Sequence, residues 1–231
     1  MLPRRRLPTS CLPALLLVLA CAPTAAGEPP RYAFDPVHTR VMFAIDHAGF
    51  SKAIGTISGS QGSLQFDADD WASARLDVLV PMDRLDMGDS GWSASVFAPR
   101  FLDVKRYPQA RFVATDGMQR GTGNRGRACG QLTLHGVTRP LCLDVVFNKA
   151  GRYPLPPFRR TIGFSATATL KRSDYGMTSW QSLVGDDIDL RIEAELFRSD
   201  ADAPAPTQPA PVAGDPAPPP NDCHQRDPPC R

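Results

Sequence analysis

The chain has 231 residues, with 26 Lys plus Arg set against 24 Asp plus Glu. Removing Arg4, Arg5 and Arg6 with the first 27 residues leaves 23 against 24, a balance near −1 that excludes the basic surface of a nucleic-acid binder. No Cys/His spacing of the zinc or redox kind occurs, so no metal or cofactor is expected.

Residues 1–27 read as a signal peptide. Arg4, Arg5 and Arg6 form a positive start, Ala14–Ala20 a short apolar run, and Thr24 to Gly27 the small residues of a cleavage site. The apolar run is far shorter than the ~20 residues that span a bilayer. A second reading takes Val18-Leu-Ala-Cys21 as a lipobox, with Cys21 acylated and tethering the chain to a membrane, although Leu19 is an unusual occupant of its position. Both readings deliver the chain to the periplasm.

Residues 28–198 then alternate apolar with polar, strand after strand. Val41, Phe43 and Ile45 alternate with Met42, Ala44 and Asp46; Ile54–Ser58 is the next run, and Leu64 and Phe66 follow a Gly/Ser-rich turn. Leu76, Val78 and Val80 keep the period until Pro81, and the one helix candidate, Gly91–Ala98, stops before Pro99. Phe112 and Ala114 precede a hairpin that sets Leu132 and Leu134 against Leu141, Leu143, Val145 and Phe147, with His135–Pro140 between them. Ile162–Leu170 and Ile188–Leu196 are the longest strands. This pattern predicts an all-β domain of about eight strands. Eight antiparallel strands close into a barrel just wide enough for side chains or one slim ligand. The inward sets mix Ala114, Ala166, Ala168 and Ala194 with large Phe residues, which suits a filled core as well as a ligand tunnel.

Beyond the domain, residues 199–231 hold ten prolines in 33 positions and no apolar period, the composition of an extended, disordered tail. An exported chain keeps its disulfides. Cys223 and Cys230 close a short loop in the tail. Cys129 and Cys142 flank the hairpin, but matching Leu134 with Leu141 sets Cys142 opposite Thr133, about 13 Å along the strand from Cys129. A disulfide needs Cα atoms within ~7 Å, so that bond requires a bulge near Gly130 and stays open.

The polar residues have bland readings beside functional ones. Parity along Ile162–Leu170 sends Arg172 inward at the barrel end, with Asp174 two residues on. The pair either holds a polar ligand head or seals the barrel floor against loop carbonyls. His38 and His47 sit at opposite ends of one strand, ~30 Å apart if extended, and cannot share a metal. Asp35 before Pro36 reads as turn chemistry, and no G-x-S-x-G elbow anchors a nucleophile.

Six motifs occur in a specific order over Tyr32 to Arg198. They are Asp35-x-x-His38-Thr39 leading to Phe43 and His47; Gly55 and Gly62; Phe101-Leu-Asp103 with Tyr107-Pro108; Leu132-Thr-Leu-His-Gly-Val-Thr-Arg-Pro140; Arg172-Ser-Asp-Tyr-Gly-Met177; and Val184-Gly-Asp186. Together they resemble the YceI-like family of exported, lipocalin-like barrels that bind polyisoprenoid or long acyl ligands. Gly91-Trp-Ser-Ala-Ser-Val-Phe97 departs from the family pattern near the expected mouth, and the Pro-rich tail lies outside it.

The resemblance implies a closed antiparallel lipocalin-like barrel with an apolar tunnel, and a binder rather than an enzyme. The ligand would be a polyisoprenoid, quinone or fatty amide. The expected lining is Phe43, Ile45, Phe66, Leu76, Val78, Phe112 and Phe164, with Phe50 and Met177 nearer the ends. His38, Arg172 and Asp174 are the candidates for the ligand head or barrel end. A homodimer is compatible with this reading, as is a filled barrel acting through its tail.

Overall fold

The structure, a computed structural model, describes residues 28–199. The expected signal peptide with Cys21, the expected Cys223–Cys230 pair, His224 and the rest of the chain from residue 200 onward therefore lie outside the described residues. Twelve strands form one antiparallel sheet: β1 (Arg31–Phe34), β2 (Arg40–His47), β3 (Ser51–Ile57), β4 (Gln61–Gln65), β5 (Arg75–Pro81), β6 (Leu85–Asp86), β7 (Gln109–Ala114), β8 (Met118–Arg120), β9 (Arg125–Leu134), β10 (Val137–Arg152), β11 (Arg160–Lys171) and β12 (Val184–Arg198). Strands β1, β4, β5, β7, β9, β10, β11 and β12 follow one another around a ring, which the β1–β12 pairing closes. The result is the closed barrel that the resemblance implies, with the eight strands that the alternation predicts. Closure leaves no edge in the ring to pair with another chain.

Long β12 explains the extra strands. Its C-terminal end pairs with β1, and its Val184–Glu193 portion pairs with β2, so β1 and β2 act as one bent strand. Asp35 fixes that bend as an Asx turn: Oδ1 accepts from the Val37 and His38 amides at 2.8 and 3.1 Å, and Oδ2 lies 2.9 Å from His38 Nδ1. β3 and β4 bend beside it, where the Gly59 amide donates to the Pro36 carbonyl at 3.1 Å.

The β9–β10 hairpin overturns the expected register. Its turn is two residues, His135 and Gly136, both at positive φ (51° and 75°), and the strands resume at once with Leu134 opposite Val137. Such a turn matches the right-handed twist of the strands, which is why two-residue loops of this hand dominate hairpins. The longer His135–Pro140 turn, and with it the Leu134–Leu141 match, is incorrect. Pro140 is accommodated inside β10 because the β10–β11 pairing starts only at Asp144. In the observed register Cys142 faces Cys129 directly, and the two form a disulfide with Cα atoms 4.0 Å apart, no bulge being needed. Replacing both cysteines by serine should lower stability by about 3 kcal/mol, from the entropy of a closed loop of this size. Thermal melts with and without reductant check it, and the wild-type protein under reductant should match the double variant.

The short helix α1 (Ser90–Phe97) forms within one residue of expectation, capped by Asp89, whose side chain accepts from the Trp92 amide. It lies beside β6, which pairs only with β3. At the opposite end of the barrel Phe66, Trp71, Phe147 and Phe164 pack ring against ring, with centroids 5.1–6.2 Å apart. Gly126 permits this: a Cβ there would stand 2.5 Å from Trp71 Cζ3, so only a glycine lets the indole lie on the strand. The buried residues fall into two clusters, one around this aromatic plug and one around Met82, Leu85, Met87, Tyr175 and Met177.

Candidate functional site

Between the two clusters the barrel interior is open. A cavity of about 490 Å³ runs inside the wall, within the ~300–1,000 Å³ of small-molecule sites. Phe43, Ile45, Leu76, Val78, Phe112, Phe164 and Met177 all line it, as do Ala128, Ala166 and Ala194, where small side chains leave the space unfilled. Gly55 has the same effect on Phe43, whose ring lies where a Cβ at position 55 would be, 2.5 Å from Cζ. The filled-core reading therefore does not describe this interior.

Among the described residues, the cavity's exposed lining marks one mouth. Five of its lining residues are exposed (His47, Trp92, Ser95, Arg100 and Trp180), and all sit at the end opposite the aromatic plug. Their contacts bring three segments together there. His47 and Trp92 rings are 5.8 Å apart, Phe101 and Trp180 rings 6.1 Å, and the Arg100 guanidinium lies 5.5 Å over the Trp180 ring. The His47–Ser51, Ser90–Ala98 and Thr178–Gly185 segments contain no Asp, Glu, Lys or Arg.

Arg172 builds this mouth. It is 3% exposed, and its guanidinium donates to four backbone carbonyls: Nε to Gly185 at 2.8 Å, Nη1 to Met177 and Ser179 at 2.7 and 2.8 Å, and Nη2 to Val184 at 2.9 Å. The rigid five-donor fork suits such a cluster of acceptors. Burial pulls its pKa below the usual arginine value, against the field of Asp186. It holds the loop that carries Trp180, so its role is to seal and shape, as the bland reading has it, but at the mouth rather than at a floor. Asp174 does not steady it. That side chain is exposed, and the Asp174 carbonyl accepts from Arg139 Nε at 3.3 Å. The neighbouring carboxylate is Asp186, which accepts from the Ser173 amide and hydroxyl at 3.0 and 2.9 Å.

Three other expectations fail for geometric reasons. Phe50 is 93% exposed at the β2–β3 turn, where Ala48 and Gly49 take positive φ and the strand alternation has already ended. Phe66 is buried behind Phe164 in the plug and does not face the cavity. His38 sits on the outside of the β1–β2 bend and does not reach the cavity; its hydrogen bond to Asp35 raises its pKa above the ordinary histidine value. The residues that sequence reasoning missed are Thr39, Ser60, Trp92, Arg100 and Trp180. Thr39 stands in the Asp35-x-x-His38-Thr39 motif and Trp92 in the uncharged Gly91–Phe97 segment; Ser60, Arg100 and Trp180 carried no signal.

The family model of the YceI-like domain matches residues 32–196. The chain belongs to the YceI-like family. A UPF0312 protein of Pseudomonas savastanoi pv. phaseolicola is 33% identical over 166 residues, 70% of this chain and 84% of the relative. One from Pseudomonas putida (strain W619) is 32% identical over 184 residues, 78% and 93% of the two chains. Among solved structures, a Campylobacter jejuni YCEI protein superposes with a TM-score of 0.57 at 25% identity, over 65% of this chain and 88% of that one. BcnA of Burkholderia cenocepacia gives 0.63 at 20% identity, over 70% and 98%. A polyisoprenoid binding domain from Saccharophagus degradans, implicated in plant cell wall breakdown, gives 0.55 at 10% identity, over 73% and 98%. At these identities the last two share the YceI-like barrel as a fold.

Proposed function

We propose that this YceI-like barrel binds one long apolar lipid in its interior and carries or sequesters it in the periplasm. The observation that carries the reading is the blind apolar cavity, closed by Phe66, Trp71, Phe147 and Phe164 and open between Trp92 and Trp180. The polyisoprenoid-binding domain with the same fold supports a ligand of that class. Each five-carbon isoprene unit withdrawn from water contributes roughly 3–4 kcal/mol, from ~0.8 per CH₂, so a few units outweigh the cost of association without any charged contact. Binding rather than catalysis is the fitting activity, because the lining is apolar apart from a few hydroxyls and the groups at the mouth. The Cys129–Cys142 bond supports an oxidising compartment.

Native mass spectrometry of protein purified from membrane-containing cells without detergent tests the proposal. A discrete added mass, identified by solvent extraction as a prenyl or acyl lipid, is the expected result. A bare protein mass that persists after incubation with polyprenols and quinones would overturn it.

A further inference from the structure

Away from the mouth, the cavity wall carries two polar side chains, Thr39 and Ser60. Both are 1% exposed. They sit on the adjoining β1–β2 and β3–β4 bends, which the Gly59–Pro36 hydrogen bond ties together. Thr39 Oγ1 donates to the Glu195 carbonyl at 3.2 Å, so its proton is used. Ser60 Oγ has no hydrogen-bond partner among the described residues. Native interiors satisfy the large majority of buried polar atoms, and each exception calls for a cause. Ser60 lines the cavity, so an oxygen on the bound chain can supply one.

We infer that Ser60 is the hydrogen-bonding anchor for an uncharged oxygen on the bound chain, held deep in the barrel rather than at the mouth. The inference rests on the lipid-binding reading and narrows it. The ligand is a long apolar molecule bearing a hydroxyl, carbonyl or amide oxygen, which accepts the Ser60 proton. The lone pairs of Thr39 Oγ1 stand ready for a ligand hydroxyl to donate in return. A phosphate or carboxylate is excluded from this place. The cations on the cavity, Arg100 and Arg172, are both at the mouth end, and an anion buried without a partner is heavily penalised.

The test uses three probes that share one C20 chain: geranylgeraniol, its phosphate monoester, and the hydrocarbon lacking the oxygen. Each is titrated against wild-type protein and Ser60→Ala by displacement of a fluorescent lipid. In Ser60→Ala the alcohol should bind about five- to tenfold more weakly, the worth of one hydrogen bond, while the hydrocarbon is unchanged. Wild-type protein should favour the alcohol over the phosphate. The melting temperature of ligand-free Ser60→Ala should equal or exceed that of the wild type, since an unpartnered hydroxyl adds nothing to the empty fold. Equal losses for alcohol and hydrocarbon, no loss for either, or a lower melting temperature would each overturn the inference while leaving lipid binding intact. Failure of wild-type protein to take up any of the three probes would instead remove the lipid-binding reading, and this inference with it.

Discussion

Replacing Ala166 by phenylalanine is expected to lower polyisoprenoid affinity by about two to three orders of magnitude while the barrel stays folded. Ala166 projects from β11 into the cavity, paired with Val145 of β10 on one side and Ile192 of β12 on the other, and all three line the space. A phenyl ring there takes the room of roughly one isoprene unit, whose burial is worth about 3–4 kcal/mol, and each 1.4 kcal/mol is a tenfold change in affinity. Overpacking a full core costs about 1–3 kcal/mol, and entering an existing void costs less. Thr167→Phe is the control, because the neighbouring position on the same strand faces outward and is exposed. Titration with a polyprenol, run beside thermal melts, reads both quantities. If Ala166→Phe binds like wild type, the lipid is not inside the barrel.

Arg172→Met is expected to be the most damaging single change to stability, costing roughly 3–5 kcal/mol. The side chain satisfies four carbonyls in one stroke, and methionine fills much of the volume but leaves all four without a donor. Each buried carbonyl so abandoned costs about 1–3 kcal/mol, reduced where the loop relaxes into water. For a domain of this size the melting temperature falls by about 2–4 °C per kcal/mol. Arg172→Lys should recover only part of the loss, since three donors on a flexible stem cannot reproduce the fork. A melting curve for Arg172→Met that overlays the wild type would show that the loop closes the mouth without it.

The strands and their inward parity were legible because period-two alternation reports directly which face is buried. Phe43, Ile45, Leu76, Val78, Phe112 and Phe164 all lie inside well-paired strands, and all face the cavity. The misplaced site residues share one cause: alternation was carried past a strand end. Phe50 lies in a turn, Phe66 one residue beyond β4, and Asp174 in the 3-10 turn at Arg172–Tyr175, where the chain changes direction. Trp71 closes the blind end from another 3-10 turn, which no strand period reveals. The hairpin register was misread, which left the disulfide open, because His-Gly is a less obvious two-residue turn than Asn-Gly, and a four-residue error in the turn displaces every partner beyond it. Ser60 could not have been found in the sequence, because its significance is the absence of a partner in three dimensions.

The wall is not equally stiff around its circumference. From β9 to β12 it is stitched by long uninterrupted ladders, and the Cys129–Cys142 bond adds a covalent rung on its outer face. Between β6 and β7 no strand pairing bridges the gap, where α1 and the chain through Pro108 lie, and the Met82 amide donates to the Pro108 carbonyl at 2.9 Å. Local opening follows the weakest bonding, so amide hydrogens should exchange quickly from residue 87 to residue 108 and slowly across β9–β12. Fluctuation is thereby concentrated at Trp92, on one lip of the mouth, while the plugged end keeps its dimensions. The aperture can breathe without the chamber changing size, which separates how fast a guest exchanges from how tightly it is held.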